Sequence, residues 1–348
     1  MCGRLMQNTV LSAFMWILGL SALVGNFFAL IWRMKEKTKS PMQFVQSLLI
    51  ANLAMSDFLM GVYMVIIAST DAHYGDDYFK YSDRWRSGKL CRFAGFLSLL
   101  SSETSVFFLT LISVDRFVSV VFPFSRFRLT KTSVKLVGGL LWGFAFVISV
   151  VPVVVAGPDS DLYDLSDVCI GLPLITRPTS FALQESEVDN QMTGVSFALP
   201  VPDESKPAWF FSIAIFLGLN LICFLLILLC YIGVFVSLRK SSKRVGRKKS
   251  SREEEVRVAI KMAIIIGTDF MCWMPVILMG IFSQTGIAVI PLEAYTWCVV
   301  FILPINSSLN PYLYTITSII SKRNNRVSPS DSRTQDTELS AVTRNRPQ

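Results

Sequence analysis

GTDFMCWMP, residues 267–275, sets an ionisable side chain inside a run that is otherwise apolar, aromatic and sulfur-bearing. Asp269 stands one helical turn before Trp273, and Pro275 follows two residues later. What such a stretch can do depends on the solvent around it. The chain has 348 residues, 52% of them hydrophobic and 17% charged, with a mean hydropathy of +0.50. That is more apolar than an ordinary soluble domain. Seven stretches read as membrane spans, at residues 10–32, 44–70, 93–114, 136–156, 207–238, 262–283 and 294–320. A helix needs about 20 residues to cross the hydrocarbon, and backbone in lipid has to satisfy its own hydrogen bonds. The expected fold is an all-α membrane protein, a bundle of seven transmembrane helices.

Basic residues set the expected orientation. Arg33, Lys35, Lys37 and Lys39 follow the first span, and Arg126, Arg128, Lys131 and Lys135 follow the third. Ten Lys or Arg lie between Arg239 and Lys261. Residues 157–206 instead carry nine acids against two bases. Positive loops stay cytoplasmic, so the N-terminus is expected outside and the C-terminus inside. The domain plan is a short extracellular segment 1–9, a helical domain 10–320 and a polar, disordered cytoplasmic tail 321–348. Within the helical domain lie a long outer loop 157–206 and a basic inner loop 239–255. The net charge of +8 is then a topology and lipid-facing signal. It carries no aromatic–basic interleaving of the kind that binds nucleic acid.

Of seven cysteines, Cys2, Cys91 and Cys169 lie outside the apolar cores. Cys91 and Cys169 both face the oxidising side in this orientation, so a disulfide between them is chemically allowed. No metal-ligand spacing links the others, and the single His73 adds none.

Charge at bilayer depth costs at least about 2.5–3.5 kcal/mol, which makes the intramembrane polar residues informative. Asp57 is central in the second span, Glu103 in the third, and Asp269 lies a third of the way along the sixth. Asn306 and Asn310 share one face of the seventh, and Asn26 adds an amide on the first. They read either as static glue between helices or as a rearrangeable cluster able to hold a monovalent cation beside Asp57. Pro275, Pro304 and Pro311 each remove a backbone hydrogen bond nearby, which favours the second reading. Glu103 either meets a ligand or braces helices, with bracing favoured. Near the cytoplasmic end of the third span, Asp115 precedes Arg116. Arg116 can pair with Asp115 or with Glu255 at the start of the sixth helix, although Glu253 and Glu254 are equally available. Releasing such a pin would let the sixth helix swing.

These residues together resemble the rhodopsin-like G-protein-coupled receptors. The matching residues, in chain order, are Gly25-Asn26, Asp57, Cys91, Asp115-Arg116-Phe117, Trp142, Cys272-Trp273-Met274-Pro275 and Asn310-Pro311-Tyr312-Leu313-Tyr314. Within that family, MGVYMVIIASTDAHYGD (60–76), SETSVFFLTLIS (102–113) and GTDF (267–270) are similar to the leucine-rich-repeat-containing hormone receptors. FILPINSSLNPYLYT (301–315) and AIFLGLN (214–220) lean toward the relaxin-receptor branch. Cys223 occupies the position of the common fifth-helix proline.

The resemblance implies a plasma-membrane receptor that passes a peptide or protein hormone signal to a heterotrimeric G protein, with a rise in cyclic AMP. It implies an activation switch of Asp115, Arg116, Glu255, Tyr231 and Tyr314, and a sodium site at Asp57, Ser105, Asn306 and Asn310. Asp269 is expected to bond Asn310 and restrain the inactive state, with Trp273, Pro275, Asn306 and Pro311 forming the hinge and its neighbours. Membrane lipids, receptor kinases and arrestin are the further partners implied, the last two through tail serines and threonines.

Two departures stand out. The subgroup carries a large extracellular repeat domain, whereas about nine residues precede the first span here and no leucine-rich repeat occurs. A truncated form of a longer receptor, with constitutive or no signalling, is therefore an alternative. No cysteine follows Tyr314 to carry a palmitoyl anchor. An ion transporter using Asp57, Glu103 and Asp269 as a path is a remote alternative that leaves the motif order unexplained. An enzyme is disfavoured, because no nucleophile–base arrangement or phosphate-binding loop occurs.

Overall fold

The structure, a computed structural model, describes residues 4–6, 8–38, 40–122, 125–155, 167–170, 180–184, 197–201, 211 and 213–242. Between 263 and 313 it describes 263, 267–268, 270–275, 277–279, 281–282, 297, 300–301 and 304–313. The helices are α1 (Thr9–Lys35), α2 (Pro41–Tyr74), α3 (Tyr78–Arg86), α4 (Lys89–Val121), α5 (Lys131–Val155) and α6 (Leu221–Ser242). A π-helical stretch, Ile213–Asn220, leads into α6. Among the described residues, five helices are long and apolar enough to cross a membrane, and Phe270–Met279 is a shorter apolar helix. Residues 304–313 form another helical segment. The expected sixth and seventh spans, 262–283 and 294–320, are thus described only in part.

The helices overrun the apolar stretches because their ends are closed by capping groups. Asn8 Oδ1 accepts from the Val10 amide at 2.9 Å, and Arg33 and Lys35 meet the negative end of α1. Ser40 caps α2 ahead of Pro41, whose fixed φ suits a first helical position. Thr130 and Ser133 cap α5 reciprocally, each hydroxyl accepting from the other's backbone amide at 3.1 and 2.7 Å. Gly75 ends α2 at φ +50°, a conformation that favours glycine.

α2 and α4 lie at the centre of the bundle, with α1, α5 and α6 around them. Phe28, Leu140 and Leu229, each more than 60% exposed, point away from that centre. So much exposed apolar surface would drive a water-soluble protein to aggregate, and it suits a lipid-facing one. α1 and α2 approach so closely at Gly61 that a Cβ there would stand 2.6 Å from the Leu23 amide nitrogen. Without a side chain, the two backbones can pack at a distance that favours dispersion contacts in lipid.

One end of the bundle is closed by a strap at residues 167–169. Cys169 is disulfide-bonded to Cys91 of α4. Tyr63 of α2 donates to the Val168 carbonyl at 2.8 Å, and Trp85 of α3 donates to the Asp167 carbonyl at 2.9 Å. The Asp167 carboxylate accepts from Tyr78 at 3.0 Å. At the same end, Leu5 and Met6 are buried, and Asp71 accepts from the Met6 amide at 2.9 Å and from Ser12 Oγ at 2.7 Å. Strands β1 (Ser180–Gln184) and β2 (Phe197–Val201) pair antiparallel inside the segment read as a long polar loop. Pro200 is tolerated there because each strand of a two-stranded ribbon is an edge.

Gly61→Ala should therefore destabilise the bundle by about 1–3 kcal/mol through overpacking. Gly139→Ala, where an added Cβ meets nothing within 4 Å, should be close to neutral. Thermal unfolding of the two detergent-purified variants makes the comparison, and equal midpoints would contradict the close approach of α1 and α2.

Candidate functional site

Among the described residues, three buried polar clusters lie along the central helices. The first surrounds Asp57, which is fully buried. Its carboxylate accepts from Ser307 Oγ at 2.9 Å and from Asn310 Nδ2 at 2.8 Å. This ties α2 to the segment 304–313. Asn26 of α1 donates to the Ser307 carbonyl at 2.9 Å and to Ala22 at 2.8 Å. It reaches the same turn through backbone and not through the carboxylate. Gly25 completes the contact, since a Cβ there would meet Pro311 Cγ at 2.7 Å. Ser105 Oγ lies beside Asp57. Asn306 is buried one turn before Asn310. The Asp57 carboxylate and the hydroxyls of Ser105 and Ser307 beside it are hard-oxygen groups, whose chemistry fits an alkali cation.

The second cluster joins α4 to the π-helical stretch before α6. Asn220, its last residue, donates Nδ2 to Glu103 Oε1 at 3.0 Å, and both side chains are fully buried. Glu103 Oε2 has no hydrogen-bond partner among the described residues. This geometry agrees with the bracing role for Glu103. A π-helical turn carries an extra residue per turn and rotates the residues beyond it. Here it stands shortly before Cys223, where a proline is absent.

The third cluster lies toward the C-terminal end of α4. Arg116 pairs with Asp115 at 2.6 Å, and both side chains are only 6% exposed. Gln46 of α2 faces the same guanidinium. With its amide oriented to satisfy that contact, its oxygen accepts from Arg116 at 2.7 and 3.0 Å. Tyr231 of α6 lies within electrostatic reach of Arg116. Planar guanidinium geometry suits two simultaneous acceptors. The described part of the Arg116 environment is therefore anchored on α2 and within α4. Glu255, the other partner considered for Arg116, lies outside the described residues, as do Tyr314 and Asp269.

Trp273 is buried and stands 5.9 Å from Phe224 of α6, whose ring is also 6.2 Å from Phe270. Pro275 lies half-buried in the same helix, and Pro311 is buried against α1. Asn310 directs its amide nitrogen to Asp57, and its expected bond to Asp269 falls outside the described residues. Gln46, Ser307 and Asn220 escaped sequence reasoning. For Ser307 and Asn220 a signal existed. Ser307 adjoins Asn306, and Asn220 is the one strongly polar side chain in the apolar run 208–236 apart from Ser212 and Tyr231.

The sequence pattern of the rhodopsin-family seven-transmembrane receptors matches residues 25–200 and 168–314. G-protein coupled receptor GRL101 of Lymnaea stagnalis is 36% identical over 330 residues, covering 93% of this chain and 27% of that protein. Human relaxin receptor 2 is 31% identical over 314 residues, covering 90% of this chain and 38% of the receptor. The thyrotropin receptor of Ovis aries is 29% identical over 318 residues, covering 90% and 36%. The chain thus spans between 27% and 38% of the length of these relatives.

The Glu103–Asn220 bond makes a coupled prediction. Asn220→Leu alone strands the Glu103 carboxyl and should cost about 3–5 kcal/mol if the carboxyl is charged, or about 1–3 if neutral. Adding Glu103→Leu should recover part of that loss, because no buried carboxyl is then left unpaired. Simple additivity in a double-mutant cycle of thermal stability would refute a direct interaction.

Proposed function

The chain belongs to the rhodopsin family of seven-transmembrane receptors, a multi-pass membrane class that signals without catalysis, and from that premise we propose that it passes a hormone signal to a heterotrimeric G protein. The observation that carries this reading is the state of Arg116: buried, paired to Asp115 and held by Gln46. A charge so confined is a latch, because moving it requires breaking charge-assisted bonds worth about 1.5–3 kcal/mol each. An agonist that prefers the unlatched arrangement shifts the equilibrium by its differential affinity for the two states.

The proposed orientation has the strap 167–169 outside and Arg116 facing the cytoplasm, following the basic residues around it. In this reading the partner's docking cleft is bordered by Arg116, Tyr231, Tyr314 and the basic loop 239–255, with Glu255 a candidate second anchor. Asp269 restrains the inactive state, and Trp273, Pro275 and Pro311 lie where the moving helices bend. A sodium ion beside Asp57, with Ser105, Asn306 and Asn310 around it, would favour the latched arrangement. Receptor kinases and arrestin act on the tail.

The relatives include relaxin and thyrotropin receptors. A peptide or protein hormone and a rise in cyclic AMP are accordingly the finer parts of the proposal, and they rest on that likeness. A chain spanning 27–38% of those relatives also admits a second reading, a helical domain that signals constitutively or not at all without further sequence.

Basal cyclic AMP at matched surface expression tests the proposal. Arg116→Ala should lower it. Gln46→Leu and Asp269→Ala should raise it, because losing one hydrogen bond to a charged group, about 1.5–3 kcal/mol, shifts the balance between the two states by roughly tenfold or more. A Gln46→Leu variant with unchanged output, beside a responsive Asp269→Ala, would remove Gln46 from the latch. No change in any variant would count against coupling through cyclic AMP.

A further inference from the structure

A cavity of about 570 Å³ opens at the strap end of the bundle, between the end of α2, α3 and the first turn of α4. That volume is in the range of small-molecule sites. Its lining divides by chemistry. Val65 and Ile66 of α2 and Leu90 of α4 supply its apolar lining, Arg84 and Lys89 its cations, and the buried Trp85 also lines it, as does His73. The described lining contains no carboxylate. Val65 and Ile66 fall within the apolar stretch 44–70, whereas Arg84 and Lys89 precede the one at 93–114. The cavity therefore straddles the boundary between hydrocarbon and headgroups.

The pairing of nearby charges sharpens this. Arg4, Lys80 and Arg86 at the same end each have a carboxylate partner within 2.7 Å. Arg84 and Lys89 have none among the described residues, although Asp83 and Asp77 stand close in sequence. Two cations without a counter-charge among the described residues, in a cavity that also has apolar lining, complement a molecule with an anionic head and an apolar tail.

We propose that this cavity binds a phospholipid from the leaflet on the strap side, with its phosphate at Arg84 and Lys89 and the upper part of one acyl chain against Val65, Ile66 and Leu90. An acidic peptide arriving from water would satisfy the cations and leave that apolar lining facing lipid; a phospholipid satisfies both. Because the strap's Asp167 accepts from Trp85, the bound lipid touches an element that holds the strap. The inference needs only that the chain lies in a membrane, and not the proposed coupling.

The test is photo-crosslinking of the full chain in nanodiscs of phosphatidylcholine doped with phosphatidylglycerol, the latter carrying a diazirine near the glycerol end of one acyl chain. Adducts mapped by peptide mass spectrometry should concentrate on residues 65–69 and 84–90. Arg84→Gln with Lys89→Gln should reduce them roughly tenfold or more, at about fivefold per cation. Lys80→Gln, which removes a paired charge outside the cavity, should leave them unchanged. Excess soluble glycerol phosphate should not compete.

Adducts spread evenly around the bundle, or a yield indifferent to the double substitution, would overturn the proposal. Full competition by glycerol phosphate would overturn it in favour of a free-anion site. Should the double variant fail to fold, Lys89→Gln against Lys89→Arg gives the same contrast. Loss with glutamine and retention with arginine supports the site, and equal yields refute it.

Discussion

A carboxylate at the middle of a membrane has to be met by donors from other helices, and the arrangement around Asp57 follows from that requirement. Ser307 and Asn310 supply the donors, which draws the segment 304–313 against α2. Once that segment is there, Asn26 can reach its backbone and Gly25 must be small enough to admit Pro311. Three helical segments are thereby fixed around one acidic side chain. In water the carboxylate could be solvated wherever it stood. In hydrocarbon it constrains its neighbours, because separating them leaves it without partners.

The other two clusters repeat the principle with different consequences. Glu103 and Asn220 join α4 to the π-helical stretch, so the irregular backbone is anchored where it would otherwise be free to slide. Arg116 is held by Asp115 and Gln46 at the opposite end of α4 from the disulfide. α4 is thus fastened at its top by a covalent bond, at its middle by a neutral donor to a carboxyl, and at its foot by charge-assisted bonds. Of the three, only the lower two can be remade within the folded protein.

The spans were legible because hydropathy acts over some twenty residues at once, and no tertiary contact overrides it in lipid. That Asp57 and Asn310 would meet was legible for a related reason: polar groups are so costly at that depth that they have to be near one another. Gln46 was not legible, since a lone glutamine in the first turns of α2 looks like any polar residue near a membrane boundary. Its role depends on the rotation of α2 relative to α4, which no periodicity encodes. Residues 213–220 were read as part of a plain apolar span, because a π-helical turn and an α-helical one can be built from the same leucines and isoleucines. The hairpin was hidden by the polar composition of its surroundings, with five-residue strands too short to stand out.

The bond between Cys91 and Cys169 also changes the connectivity of the molecule. It closes the chain between those residues, 78 positions apart, into a covalent ring that contains nearly all of α4 and the whole of α5. A protease that cut the exposed turn around Phe127, 87% exposed, would open the ring without releasing a fragment. The two pieces would stay joined until a reductant reached a cysteine pair that is 0% exposed. The bilayer is crossed twice within that ring, so α4 and α5 enter or leave it as one linked body.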